Sequence, residues 1–383
     1  MVTGRNESHS RRIRLGMVGG GNDAFIGGVH RIASRIDDQF ELVAGALSST
    51  PEKSRASGEA LGLPRIYDDF KQLAIREARR KDGIEAVSIV TPNHMHFPAA
   101  REFLKRGIHV ICDKPLTSTL LDARKMVKAV EASDALFVLT HNYTGYPMVR
   151  QARQMVAAGD IGTVRVVQVE YPQDWLTVEQ DFKQAEWRTD PARSGAGGST
   201  GDIGTHAYNL ACFISGLEAE ELAADLAAFV PGRQVDDNAH VMLRFKGGAK
   251  GMLWSSQVAP GNENALRVRI YGDKGGLEWA QEDPNYLWFT PFGEPKRLIT
   301  RGGAGAGDEA ARMSRIPPGH PEGYLEGFAN IYSEAAAAIL ARRTGADPDP
   351  SVTYPTVYDG IAGVRFVAAC VESSQKNAAW RKL

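Results

Sequence analysis

Short apolar runs separated by helix-length amphipathic stretches fill the first third of the chain. Ile13–Val18, Glu41–Leu47, Ala86–Val90, His109–Cys112 and Leu136–Leu139 read as strands, while Pro98–Arg106 and Thr119–Ser133 carry helical spacing. Strands alternating with helices predict βαβ units and a parallel sheet. The pattern changes after about residue 150. Val164–Tyr171, Ala239–Phe245, Lys250–Ser256 and Ala265–Tyr271 alternate or run apolar with few helices between them. Lys246-Gly247-Gly248 and Gly272-Asp273-Lys274-Gly275 supply turn signals. A mostly antiparallel sheet is expected there. Residues 301–322, rich in Gly, Ala and Pro, read as a long loop, and 356–376 as a last helix following Tyr354-Pro355. The chain holds no internal repeat.

At 383 residues the chain is too long for one ordinary core, which points to two domains. Its net charge of −1 provides no basic field for nucleic acid. The apolar runs fall far short of the roughly 20 residues that a membrane helix needs, so no membrane partner is expected. The first twelve residues are polar and end in Arg11-Arg12 with no apolar stretch after them. They read as a disordered tail without a secretory signal, and a cytoplasmic location is expected. Cys112, Cys212 and Cys370 are far apart and form no CxxC pair, which argues against a disulfide framework or a zinc site.

The first strand runs into Gly19-Gly20-Gly21-Asn22-Asp23-Ala24-Phe25, a GxGxxA pattern between a strand and a helix. In such a turn Gly19 permits the bend, Gly21 lets backbone approach a pyrophosphate, and Ala24 keeps the helix close. The anion would rest on the helix N-terminus. This makes 13–142 a dinucleotide-binding domain of Rossmann type. The second strand ends in Ser48-Ser49 with no acidic residue to hold a ribose, so NAD is favoured while NADP stays open. Thr91-Pro92-Asn93-His94-Met95-His96 follows the third strand and reads as a wall of the nicotinamide site, with Asn93 and His96 also able to cap the next helix. The two histidines lack a nearby third ligand, so no metal is expected.

Asp113-Lys114-Pro115 ends the fourth strand. A lysine there could be an ordinary solvated side chain, or its charge could favour an alkoxide developing on a substrate oxygen. Farther on, Gly201-Asp202-Ile203-Gly204-Thr205-His206 opens an apolar helical pattern. Asp202 and His206 are four apart and share a helix face. Asp202 sits where an N-cap would be. Either it caps while His206 packs in the core, or His206 is a general base suited to neutral pH and Asp202 orients it.

Together GGGNDA, TPNHMH, DKP and GDIGTH, with the ending YPTVYDGIAGVRFVAACVESS, resemble the Gfo/Idh/MocA family over nearly the whole chain. The resemblance implies a Rossmann domain followed by a substrate and oligomerisation domain, 143–383, with a large open sheet that mediates homodimers or homotetramers. The last helix could pack back on the first domain. It also implies that Lys114, Asp202 and His206 are catalytic and that Asp113 stands where relatives carry Glu. HNYTGYPMVRQAR, the long 172–199 stretch and PPGHPEGY look most like levoglucosan dehydrogenases and related sugar 3-dehydrogenases, with inositol dehydrogenases close by. Tyr143, Trp175, Trp187, Arg188 and His320 become candidates for contact with a cyclic sugar or polyol. The expected activity is NAD(P)-dependent oxidation or reduction at a secondary hydroxyl or ketone. A redox-neutral NAD-dependent glycosidase, a non-catalytic dinucleotide-binding regulator and an enzyme acting on imine or biliverdin-like substrates remain open beside it.

Overall fold

A computed structural model describes residues 11–22, 24–180 and 190–383. They divide into two compact units. The first holds the described residues up to Thr117, Leu121–Gly145 and Tyr324–Ile361; the second holds Ser118–Leu120, the described residues from Tyr146 to Gly323, and Ala362–Leu383.

In the first unit the apolar runs form the parallel strands β1 (Ile13–Gly19), β2 (Phe40–Ala46), β3 (Arg65–Ile66), β4 (Ala86–Val90), β5 (His109–Cys112) and β6 (Phe137–Leu139). Their order is β3-β2-β1-β4-β5-β6. The connection reverses between β1 and β4, and that reversal leaves a crevice at the carboxyl ends of the two strands. Helices α1 (Phe25–Ile36), α2 (Pro51–Ala60), α3 (Phe70–Glu77), α4 (His96–Leu104) and α5 (Leu120–Glu131) connect them. Asp69 starts α3 by accepting from the backbone N–H groups of Lys71 and Gln72.

The helix Tyr324–Thr344 also belongs to this unit, whereas its place after residue 143 assigns it to the second domain by sequence. The physical reason is packing. Phe328, Tyr332, Ala335 and Ala336 join Ile13, Leu15, Val29, Ala33 and Phe40 in one core. Its small residues let it lie against α1 over the sheet. The described part of the N-terminal tail differs from expectation too. Arg11 pairs with Glu85 at 2.7 Å and Arg12 with Asp38 at 2.6 Å, so these two residues are tied to the fold. Residues 1–10 lie outside the described ones.

His109 in β5 is mostly buried, and its Nδ1 accepts from the Leu136 N–H at 2.9 Å. Burial, helped by the charge of Arg342, pushes its pKa down to about 4. The folded chain therefore binds fewer protons than the unfolded one between that value and an ordinary histidine value near 6.5. Stability from this group is complete above about pH 6.5 and is lost as pH falls toward 4, on the order of 2 kcal/mol. His109→Asn keeps an acceptor for Leu136 and removes the titration. Its melting temperature should fall less than that of the wild type between pH 7 and 5. Equal slopes would sink this assignment.

In the second unit β7 (Val164–Pro172), β8 (Ala219–Ala227), β9 (Asn238–Phe245), β10 (Lys250–Ser256), β11 (Arg267–Gly272), β12 (Gly275–Ala280), β13 (Tyr286–Pro291), β14 (Arg297–Thr300) and β15 (Arg381–Lys382) form one sheet. Its order is β14-β13-β12-β11-β7-β10-β9-β8-β15, antiparallel except that β7 and β10 run parallel. One face buries Val169, Val241, Leu253, Val268 and Trp279. The other exposes two apolar pairs, Met252 opposite Met242 and Trp288 opposite Leu298, with Gln168, Arg269 and Glu278 between them in register. Helices α6 (Pro147–Ala158) and α7 (Thr205–Ser215) pack in this unit. The 301–322 segment contains a short helix, Asp308–Met313, and is pinned by the buried Arg301–Glu322 pair at 3.0 Å.

Candidate active site

In the first unit the chemistry-bearing turns gather at the carboxyl ends of the strands. Gly19 and Gly20 take left-handed φ values of 78° and 74°, which glycine alone adopts without strain. A Cβ on Gly27 would lie 2.4 Å from the Gly20 Cα. The closest helix–turn approach is thus made by Gly20 and Gly27, and the Ala24 N–H donates to Gly21 O at 2.9 Å just before α1. Gly21 is closely enclosed as well. A Cβ there would meet Ser57 Oγ at 2.8 Å and Leu47 O at 2.9 Å, so Gly21 seats the turn against the end of β2 and α2. Asn22 donates its N–H to Ser57 Oγ at 3.3 Å, and Phe25 is exposed. The start of α1 has no acidic residue in its first turn and no side-chain cap. Its N–H groups suit a pyrophosphate, so the residues present fit a dinucleotide.

At the end of β2 the Ser48 hydroxyl accepts from the Thr50 N–H at 3.2 Å, and Ser49 is exposed. After β4, Thr91, Pro92 and Asn93 lead into α4, with Asn93 buried. His96 is fully buried. Its Nδ1 lies 2.8 Å from Pro115 O and its Nε2 2.9 Å from Thr91 O. It therefore clamps the loop after β4 against the turn after β5, with a neutral ring able to donate to only one of the two carbonyls at a time. Burial lowers its pKa.

Asp113, Lys114 and Pro115 form the turn after β5, with a cis Lys114–Pro115 bond. Asp113 Oδ1 accepts from the Lys114 N–H at 2.9 Å and from Thr140 Oγ1 at 3.1 Å. Burial alone would raise the Asp113 pKa, but His30, Lys114 and His96 outweigh it and hold the carboxyl ionised below its ordinary range. Lys114 is half-buried. Tyr143 lies buried on the turn after β6. His141, which opens the HNYTGYPMVRQAR stretch, is buried near it, and burial pushes its pKa to about 4. Among the described residues no group of three or more His, Cys, Asp or Glu is placed to hold a metal.

In the second unit α7 is preceded by a wider, π-helical turn, Thr200–Gly204. Asp202 lies inside that turn and does not cap it. Asp236 does the capping from a distant segment. Its carboxylate accepts from the Gly198 N–H at 2.7 Å, Ser199 Oγ at 2.8 Å, the Thr200 N–H at 2.8 Å and Thr200 Oγ1 at 2.7 Å. Asp202 Oδ2 accepts from Gln257 Nε2 at 3.1 Å. His206 is buried on α7, its ring 6.3 Å from that of Tyr171. π-Helical turns of this kind recur at functional sites.

The parallel pairing of β7 and β10 brings more polar groups to the same end. Gln173 follows β7 and donates its N–H to Ser256 O at 2.7 Å, at the end of β10, where Gln257 follows. Tyr171 Oη and Gln173 Nε2 both donate to Asn264 Oδ1 at 2.7 Å, and Trp175 Nε1 donates to Gln173 Oε1 at 2.9 Å. Tyr171, Gln173, Gln257 and Asn264 escaped the sequence reading. For Gln173 and Gln257 the signal is a position just past two strands that share a direction, which needs the pairing to be known. His320 is exposed, and its carbonyl accepts from Arg301 at 2.5 Å. Trp187 and Arg188 lie outside the described residues.

Comparison with known proteins agrees with this geometry. Residues 13–141 match the family described as oxidoreductase family, NAD-binding Rossmann fold, and 149–278 match the GFO/IDH/MocA C-terminal domain. An uncharacterized oxidoreductase of Bacillus subtilis is 35% identical over 97% of both chains. An oxidoreductase structure from Sinorhizobium meliloti is 70% identical, with a TM-score of 0.91, covering 97% of this chain and 100% of its own. An inositol dehydrogenase homolog from Azotobacter vinelandii, solved with NAD+, is 36% identical with a TM-score of 0.93 and 98% coverage of each chain. The same homolog has been solved with NADH and myo-inositol. The chain is thus an oxidoreductase of the Gfo/Idh/MocA family and carries that family's NAD-binding Rossmann domain.

Proposed function

We propose that this protein is a dehydrogenase of a cyclic polyol or sugar, acting at a secondary hydroxyl or the matching ketone. The observation that carries the reading is the Asp113-Lys114-Pro115 turn. It is held by the Asp113 carboxylate and the His96 clamp at the carboxyl end of β5, two strands from the glycine turn. A cation fixed there is suited to an oxygen that gains charge during reaction.

Gly19, Gly20, the N-terminus of α1, Ser48, Thr91 and Asn93 would hold the dinucleotide. When bound, NAD supplies the chemistry of accepting or returning a hydride. The Lys114 ammonium stabilises negative charge on the substrate oxygen. His206 takes the hydroxyl proton in oxidation and returns it in reduction. Asp202, held by Gln257, orients His206 or binds a neighbouring hydroxyl. The polar set Gln173, Trp175, Gln257 and Asn264 suits a ligand rich in hydroxyl groups. The relative solved with myo-inositol supports a cyclic polyol, and the likeness of 141–153 to levoglucosan dehydrogenases supports an anhydro sugar.

Purified protein should reduce NAD with at least one of myo-inositol, levoglucosan or a glucoside, followed by nicotinamide absorbance with NADP in parallel. Cleavage of a glycoside without net NAD reduction would replace this reading by the redox-neutral glycosidase. No turnover with any of the panel would favour the regulator. The exposed pairs Met242–Met252 and Trp288–Leu298 on one sheet face support a second copy of the chain as its cover. A purely monomeric sedimentation profile would remove that part.

A further inference from the structure

Near the Lys114 turn lies a buried polar chain that the scheme above does not use. His30, on α1, has no exposed surface. Its Nδ1 lies 2.8 Å from Tyr332 Oη and 3.1 Å from Ser88 Oγ, and these two hydroxyls are 2.9 Å apart. Its Nε2 has no hydrogen bond among the described residues and faces Asp113 Oδ1 at 3.7 Å. The rings of Phe328 and Tyr332 pack edge-on against it at 5.1 Å and 5.8 Å. A polar ring in such a place costs stability unless its atoms are used.

The partners decide where the protons sit. At 3.7 Å this is a charge–dipole contact and not a direct hydrogen bond, and an N–H aimed at a carboxylate is favoured over a lone pair, so the ring nitrogen facing Asp113 carries the hydrogen. Nδ1 then bears the lone pair and accepts from the Tyr332 hydroxyl, which burial keeps neutral. Ser88 O–H donates in turn to Tyr332 Oη. The opposite tautomer would aim a lone pair at the carboxylate and leave one hydroxyl hydrogen without an acceptor.

We propose that His30 is a positioning residue. The Nε2–H dipole, aimed at the Asp113 carboxylate from 3.7 Å, favours its ionised form and its orientation, so that the Asp113–Lys114 turn presents the Lys114 amine in its reactive orientation. Tyr332 and Ser88 fix the ring from behind. This rests on the reading that Lys114 acts on the reacting oxygen. The side-chain partners come from α1, β4 and the helix Tyr324–Thr344, and they converge on one turn after β5.

Two measurements test it. In protein labelled with ¹⁵N-histidine, the His30 ring should carry its proton on Nε2 with Nδ1 accepting, and Asp113→Asn should shift the Nε2 signal. A proton on Nδ1, or no response to Asp113→Asn, would overturn the proposal. The second measurement compares His30→Gln with His30→Asn in NAD-linked oxidation of myo-inositol. The Gln amide nitrogen reaches where Nε2 stood, whereas the Asn amide reaches only the Nδ1 position. His30→Asn should lower kcat roughly 10–100-fold with KM changed less than about twofold, and His30→Gln should recover most of it. Equal losses in the two variants, or none in either, would reject positioning. Lys114→Ala run alongside separates the two ideas. Wild-type turnover there would reject the role of Lys114, whereas the NMR result decides the His30–Asp113 pairing by itself.

Discussion

Replacing Lys114 by Ala is expected to lower turnover about 10²–10³-fold, the range typical of removing one group that stabilises developing charge in a closed site. The loss should appear in kcat and kcat/KM alike, because the ammonium is used most when the substrate oxygen becomes anionic. NAD affinity and melting temperature should change little. The turn backbone is fixed independently of the amine, by Asp113 Oδ1 on the Lys114 N–H at 2.9 Å and by His96 on Pro115 O at 2.8 Å. Lys114→Arg should recover only part of the activity, since a planar guanidinium presents its charge differently from a compact ammonium. Steady-state rates with the substrate identified in the screen provide the check. Wild-type turnover in Lys114→Ala would remove the lysine from the mechanism.

Asp236→Ala should be the most damaging single change to the second unit. Asp236 is 8% exposed, and its carboxylate is the acceptor for two backbone N–H groups and two hydroxyls at the start of the helix that carries Asp202 and His206. Alanine leaves those four donors in a buried place without their acceptor. Each unsatisfied donor costs about 1–3 kcal/mol. With partial relaxation we expect a net loss of about 3–5 kcal/mol, of the size seen when one partner of a buried network is removed. The melting transition should fall by roughly 6–15 °C for a unit of this size. Turnover should fall with it, because the π-helical turn loses its anchor. Asp236→Asn keeps one carbonyl acceptor but turns an amide toward the donors, so it should lie between the two. A melting curve for Asp236→Ala that overlays the wild type would show that the cap is not needed.

The cap also marks where local reading stopped working. Asp202 has the right residue type and stands just before an apolar helical pattern, so the sequence leaves an N-cap as one of its two readings. The residue that caps is Asp236, more than thirty positions later, and only the path of the chain before β9 brings it there. The GxGxxA spacing correctly marks a tight turn before a helix, yet the closest contact falls on Gly20 and Gly27.

Among the elements, β1, β4, β5 and β10 were legible within a residue or so, because each is an apolar run bounded by turn residues. Strand β8, Ala219–Ala227, was not. Its Ala, Glu and Leu residues favour helix, but pairing with β9, Leu222 opposite Leu243, overrides that preference. The helix Tyr324–Thr344 was missed for the opposite reason. Residues from Gly327 to Ile339 are almost all buried, so it has no polar stripe to reveal its period.

Consecutive residues were enough to determine the βαβ pattern, the second mostly antiparallel sheet, the glycine turn and the placing of Lys114 at a strand's carboxyl end. Those features depend on alternation and turn chemistry within a few positions of one another. Tertiary structure alone decided that His30 faces Asp113, that Gln257 holds Asp202, that Asp236 caps the Thr200 turn and that Tyr324–Thr344 covers the first sheet. Each of those pairs joins segments tens to hundreds of residues apart. A hydrogen bond or a packed face is set by distance in space, which spacing along the chain does not carry.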